Sequence, residues 1–326
     1  MENVRELIGE LQRVEKTRIE CAERLNEVGG LKLECTPNDL NLRVGAVDTS
    51  IVSQEFHAFD LIITKTVGVV FEYRDGKLYK HEYIPSPFPA ENVHTHGSMD
   101  LLELSQYRNI VRLKEEIGLA HKVAGMCDLM LIDGSLAPLP GDRPANKDMR
   151  GEYDELLGLY MQLFERHEQK LAGVVKDSRS KRVMEEYGAI LDASVMANST
   201  DSTLLDMVLK KGERTKTLTY SKDAKTNPVL KDLLPYSERL NVSYIKAGRN
   251  DRPVRIEFFG ENSDIVNTLY SLCAINDNYS YPAVLIDVDL RALIDPKAVE
   301  RIYHEIEIAP FLKDSRLLRR NSRPFR

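Results

Sequence analysis

The chain has 326 residues, 42% of them hydrophobic and 29% charged, which allows a sizeable core and excludes wholesale disorder and low-complexity architectures. Its formal net charge is −6, and no stretch approaches the roughly 20 consecutive apolar residues that cross a bilayer. Neither a strongly basic nucleic-acid binder nor a membrane protein is indicated, the four scattered cysteines form no C-x-x-C pair, and the charged N-terminus carries no signal-peptide pattern, so a cytoplasmic protein is expected.

Val4, Ile8, Leu11 and Val14 among charged residues predict an amphipathic helix from Val4 to about Val28, an N-terminal helical arm within residues 1–38. Residues 43–52 read as a short buried strand, 61–73 as a second and 78–84 as the return strand of a hairpin turned at Asp75-Gly76. A proline loop holds His94 and His96, which are expected to be exposed rather than metal-bound. Met99 to about Ala124 is helical, with Ile110, Leu113, Ile117, Ala120 and Ala124 on one face. A buried strand over 128–133, a helix over 152–170 and an apolar strand over 171–176 follow. Residues 190–250 are polar and weakly periodic and are expected to be insertions, with Lys210, Lys211, Arg214 and Lys216 clustered. A strand over 254–259 and helices over 264–274, 281–293 and 297–306 close the main domain, placed at 39–312. The tail, 313–326, carries five arginines in its last twelve residues. No internal repeat occurs. The predicted class is α/β: a mixed sheet flanked by helices, with helical elements inserted.

Asp48 and Asp133 each close a short apolar strand before a small-residue turn, Val47-Asp48-Thr49-Ser50 and Ile132-Asp133-Gly134-Ser135. Such acids can merely cap a turn, but a pair at adjacent strand ends can share a hard divalent cation, Mg²⁺ or Mn²⁺. A third acid is expected on the intervening helix. Six strand residues climb about 17–20 Å, which at about 1.5 Å per residue is eleven to thirteen helical positions back from Ala124. Residues near 112 are indicated, and Glu116, at the edge of the apolar stripe, is preferred to Glu103; Glu115 faces away from the stripe. Tyr281, Leu285 and Asp289 are spaced i, i+4, i+8 on a helix opened by Pro282, making Asp289 a candidate fourth ligand with Asp287 as its competitor. Lys176, Ser178 and Arg179 can form a phosphate site, unless Asp177 and Ser178 cap the next helix. Carboxylates so placed suit two-metal phosphodiester cleavage, with the tail and the Lys210–Lys216 cluster as phosphate contacts. No Walker A, G-x-G-x-x-G, H-E-x-x-H or Ser-His-Asp pattern is present.

Ala46-Val47-Asp48-Thr49-Ser50, Leu131–Leu136, Val174–Ser180 and the Tyr281-Pro282, Leu285, Asp289 spacing, in that order over about residues 40–295, resemble the NurA family of nucleases. The resemblance implies an RNase H-like core and a homodimer working with Mn²⁺, with Mg²⁺ as the substitute. It implies 5′ to 3′ exonuclease and single-strand endonuclease activity on DNA, in end resection with the hexameric HerA translocase. It also assigns Asp48, Glu116 and Asp133 as acidic metal ligands, Lys176 as the phosphate-binding lysine, and Tyr281 and Asp289 as the late site positions; members often have His where this chain has Asp289. Two other readings are a non-catalytic DNA-binding or translocase-adaptor subunit, whose acids would not converge on a metal, and an actin-like ATPase, which needs an internal duplication.

Overall fold

The dipeptide Asp75-Gly76 sets the first hairpin. In the computed structural model, which describes residues 2–309, both residues take positive φ, 48° and 73°, as two-residue turns matched to strand twist require. The basic tail, 313–326, lies outside the described residues.

The chain runs α1 (Glu2–Asn26), β1 (Lys32–Glu34), β2 (Arg43–Glu55), β3 (Phe59–Arg74), β4 (Lys77–Ile84), β5 (Asn92–Gly97), α2 (Leu101–Ala124) and β6 (Leu129–Asp133). It continues through α3 (Arg150–His167), β7 (Leu171–Val175), α4 (Arg182–Glu186), α5 (Ala193–Asn198) and α6 (Asp201–Val208). It ends with β8 (Glu213–Thr215), β9 (Leu218–Thr219), β10 (Leu240–Lys246), β11 (Val254–Phe259), α7 (Ser263–Cys273), α8 (Ala283–Ala292) and α9 (Pro296–Ile308). One 11-stranded sheet has the order β1-β8-β10-β11-β7-β6-β2-β3-β4, with β5 added to β3 and β9 to β10. β6 is parallel to β2 and β7, and the other neighbours pair antiparallel. The segment β4-β3-β2-β6-β7 is the RNase H-like mixed sheet expected from the sequence.

The period of two along each strand divides the core. Val44, Ala46, Leu129, Leu131, Ala172 and Val174 face α7 and α8. Val47, Met130, Ile132 and Leu171 face α2 and α3. Helix α2 comes close because glycines lie beneath it: a Cβ at Gly68 would sit 2.6 Å from a Val123 methyl, and one at Gly45 would sit 2.8 Å from another. Gly68→Ala is therefore expected to destabilise the fold by about 1–3 kcal/mol through overpacking, read as a lower urea midpoint with an unchanged slope.

Four expectations are corrected. Asp48 does not close its strand: β2 continues to Glu55 because β3 stays paired with it to Asp60, and what ends at Val47 is the parallel pairing with β6. The loop holding His94 and His96 is strand β5, whose exposed face gave no apolar alternation. Residues 190–250 are not only insertions, since β10 is an interior strand; it is buried on both faces and so lacks alternation. Tyr281 precedes α8 rather than opening it, with Pro282 at the cap.

The C-terminal half of α1 buries Cys21, Ala22 and Leu25 against Val183, Met184, Val195, Leu204 and Leu205 of α4–α6. No helix among the described residues is long and apolar enough to cross a membrane.

Candidate active site

Asp48 and Asp133 lie at the same level of the sheet because β2 and β6 are parallel with Val47 opposite Ile132. Both follow the strand residues that face α7 and α8, so both project from that face. Glu116 approaches from α2, on the other side, and is only 2% exposed.

These carboxyls sense one another. Burial pushes Asp48 up to about 6, and the charges of Asp133 and Asp289 push the same way. Glu116 is pushed up to about 8 by burial, with Asp48 and Asp133 adding to the shift. Arg112 opposes it, donating to Glu116 Oε2 at 2.6 Å, but does not offset the desolvation.

Asp133 is held from two sides. The Tyr281 hydroxyl donates toward Asp133 Oδ1 at 2.8 Å and lies 2.9 Å from the Val174 carbonyl oxygen. Lys176 Nζ donates to Asp133 Oδ2 at 3.2 Å and sits 5.0 Å from the centre of the Tyr281 ring. Burial and the Asp133 charge raise the Tyr281 hydroxyl far above its usual range, so it remains a donor. Tyr281→Phe is expected to lower cleavage by about 10–100-fold, as loss of a partner orienting a ligand does, with the Mn²⁺ requirement shifted to higher concentration. An unaltered metal titration would show that Asp133 does not depend on Tyr281.

The turn after Asp133 is also fixed from below. Gly134 has φ 113°, and a side chain at Gly173 would meet the Gly134 carbonyl at 2.7 Å. Glu257 on β11, 1% exposed, accepts from Ser135 Oγ at 2.8 Å and from the Leu136 amide at 2.9 Å. Its other oxygen accepts from Arg255 Nε at 2.8 Å. Sequence reasoning missed this pair. Its signal is Val254-Arg255-Ile256-Glu257-Phe258, where two charges alternate with apolar residues on an interior strand.

The remaining candidates divide. Glu103 lies in the first turn of α2, where it completes the capping box with Asp100 and accepts from Asn146 at 2.7 Å; geometry places Glu116, not Glu103, beside Asp48. Glu115 reaches β3 and β5, accepting from Thr66 at 2.7 Å and lying 2.8 Å from His94 Nε2. Asp289 is exposed at the end of α8 and influences Asp48 and Lys176, whereas Asp287 turns to Arg291, 3.6 Å away. Lys176 and Arg179 are exposed while Ser178 is buried. Neither Asp177 nor Ser178 caps α4; the Arg182 amide instead donates to Ser180 Oγ at 3.2 Å.

The cluster at 210–216 does not form one basic patch: Lys210 is exposed, but the other three side chains go to different surroundings. Arg214 is buried in β8, Lys211 pairs with Asp277 at 2.7 Å, and Lys216 lies 5.3 Å from the Tyr187 ring centre.

The donor set is all oxygen and mutually repelling, so a hard divalent cation fits it chemically. Among the described residues no three His, Cys, Asp or Glu side chains are drawn together as a preformed cage. Lys176 and Arg112 contact Asp133 and Glu116 in their present positions.

A mixed sheet of this order, with acids from two parallel strands and the crossing helix at one end, defines the RNase H-like class. The chain belongs to the NurA family: the NurA domain matches residues 42–294. Its fold is similar to that of the NurA nuclease from Sulfolobus solfataricus, at 13% identity and TM-score 0.68 over 94% of this chain and 95% of that one. A NurA bound to dAMP and manganese is similar at 11% identity and TM-score 0.62, over 95% and 96% of the two chains. A NurA with manganese gives 11% identity and TM-score 0.59, over 91% and 97%. No curated protein sequence matches the chain.

Proposed function

We propose that this protein is a metal-dependent deoxyribonuclease that hydrolyses phosphodiester bonds, as a 5′ to 3′ exonuclease and single-strand endonuclease. The observation that carries the reading is the raised, mutually coupled pair Asp48 and Glu116 beside Asp133. Buried carboxylates that repel one another gain most from a shared cation. Asp48, Glu116, Asp133 and Asp289 would hold Mn²⁺, or Mg²⁺ in its place. When bound, the metal supplies an activated water and stabilises the leaving oxygen.

The chain's own residues do the rest. Tyr281 holds Asp133 in one orientation, and Lys176, at the open side of the same carboxylate, meets the phosphate as a point charge. With a cation bound, Asp133 would be among its ligands, which would leave Lys176 Nζ available to the phosphate. Arg112 donates to Glu116 Oε2 and opposes the upward shift of its carboxyl, favouring the charged form that a cation would need. Manganese in two solved NurA structures and dAMP in one of them support this ligand chemistry. The family also supports a cytoplasmic homodimer that works with a hexameric HerA-type translocase in DNA end resection.

The lack of a preformed cage favours one second reading, a non-catalytic DNA-binding adaptor on the same fold. Cleavage of end-labelled single- and double-stranded DNA in Mn²⁺, Mg²⁺ or EDTA decides between them. Label loss in Mn²⁺ that EDTA abolishes is expected; folded protein that binds DNA but is inert in both metals is the adaptor.

A further inference from the structure

Past Val47, strand β2 has lost its neighbour β6 but stays paired with β3 as far as Glu55. Its open edge leads away from Asp48. Helix α2 runs above this extension, and Glu116, Arg112 and Arg108 succeed one another at single-turn intervals along one flank, spanning about 12 Å. Between the helix and the strand extension lies a cavity of about 410 Å³ lined by Ser53, Gln54, Glu55, Leu101, Ser105 and Arg108.

Arg112 is committed to Glu116. Arg108 is different: among the described residues its Nε is buried and has no hydrogen-bond partner. A buried guanidinium N–H without an acceptor costs free energy unless something supplies one. Ser53, Ser105 and Gln54 line the same cavity, and Leu101, 63% exposed, adds an apolar residue to its lining. A guanidinium with hydroxyls suits a phosphate, and an apolar residue in the same lining suits a sugar or base.

We infer that the groove between α2 and the β2 extension is a nucleotide subsite, in which Arg108 binds the phosphate of a nucleotide flanking the scissile bond on a single strand. The inference rests on the nuclease reading for the position of the scissile bond. It makes the β2 extension the floor of a track on the α2 side of the sheet that leads toward Glu116, with Arg108 contributing affinity and register.

The test uses the full chain. Binding of a labelled oligothymidylate is measured in EDTA across a salt series, and hydrolysis in Mn²⁺ is measured on the same oligonucleotide and on bis(p-nitrophenyl) phosphate, which has no flanking nucleotide. Arg108→Gln is expected to bind about tenfold more weakly, with the slope of log affinity against log salt reduced by about one. Its loss of kcat/KM on the oligonucleotide should exceed that on the small diester by about tenfold, mostly through KM. Leu101→Ser, at an exposed position, should reproduce the weaker binding without the change in salt slope, and decides the matter if Arg108→Gln does not fold. Equal losses on both substrates, or unchanged oligonucleotide affinity in the variants, overturns the inference. Wild-type chain that binds in an Arg108-dependent way but cleaves neither substrate upholds the subsite and overturns the nuclease. Wild-type chain that cleaves DNA with no dependence on Arg108 does the reverse.

Discussion

Replacing Asp48 or Asp133 by alanine is expected to lower metal-dependent cleavage of DNA by about a thousandfold or more while leaving the fold intact. Each substitution removes an oxygen donor from the set that faces the cation, and neither residue contributes to the packed layers, since Asp48 and Asp133 continue the strands beyond Ala46 and Leu131 at the edge of the core. The circular dichroism spectrum should be preserved in both; the urea midpoint should be kept or raised in Asp48→Ala, which removes a buried, repelled carboxyl, and lowered in Asp133→Ala, which removes the acceptor of Tyr281 and Lys176. Substantial residual cleavage by either variant would remove these acids from the reaction. The two losses should not add, because a site missing one ligand already fails as a unit.

Stability of the metal-free protein is expected to fall as pH rises, and Mn²⁺ is expected to reverse the trend. The Asp48 carboxyl has an ordinary value of 3.8 and is raised to about 6 in the fold. A raised acid is compatible with the fold while protonated, so its contribution is fully present below pH 4 and is lost as pH climbs through about 6. The size is on the order of 2–3 kcal/mol. Glu116, raised to about 8, extends the decline toward mildly alkaline pH. The two carboxyls are coupled, so their losses merge into one broad slope.

A cation saturating the site a hundredfold above its dissociation constant would return about 2.7 kcal/mol. Thermal melts in EDTA and in Mn²⁺ from pH 5 to pH 8.5 read both effects. Asp48→Asn supplies the sharpest contrast. Lacking the repelled charge, it should melt at or above wild type in EDTA at pH 8 and should gain little from Mn²⁺. A variant that melts below wild type there would show that Asp48 is not repelled, and one that gains as much from the metal would show that it is not a ligand.

The chain order of β2, β3, β4, β6, β7 and β11 and of the long helices was legible because each rests on a local rule, whereas β1 and β5, exposed and without apolar alternation, were not. The Asp75-Gly76 turn follows from backbone φ, α2 from a one-faced apolar stripe, and β6 and β7 from short apolar runs. Residues 182–246 were not legible for local reasons too. Helices α4, α5 and α6 have five, six and eight residues, too short to display a period, and β10 is buried on both sides.

Proximity along the chain misled at residues 210–216, where Arg214 is buried in β8 while Lys211 turns to Asp277 and Lys216 to the Tyr187 ring. The Arg255–Glu257 pair escaped notice because its meaning depends on Ser135 and Leu136, which are remote in sequence.

The sequence by itself determined the RNase H-like order of elements, the family, and the acids that end apolar runs, since hydrophobic period and turn chemistry are properties of neighbouring residues. Only the tertiary structure decided which helix acid stands beside them. Glu103, Glu115 and Glu116 share one helix, and the choice depends on how deep α2 lies on the sheet, a depth set by the contact of Val123 with Gly45 and Gly68. Only it, likewise, brought Tyr281 and Lys176 to the two oxygens of Asp133, because those contacts close across more than a hundred residues for the tyrosine and forty-three for the lysine.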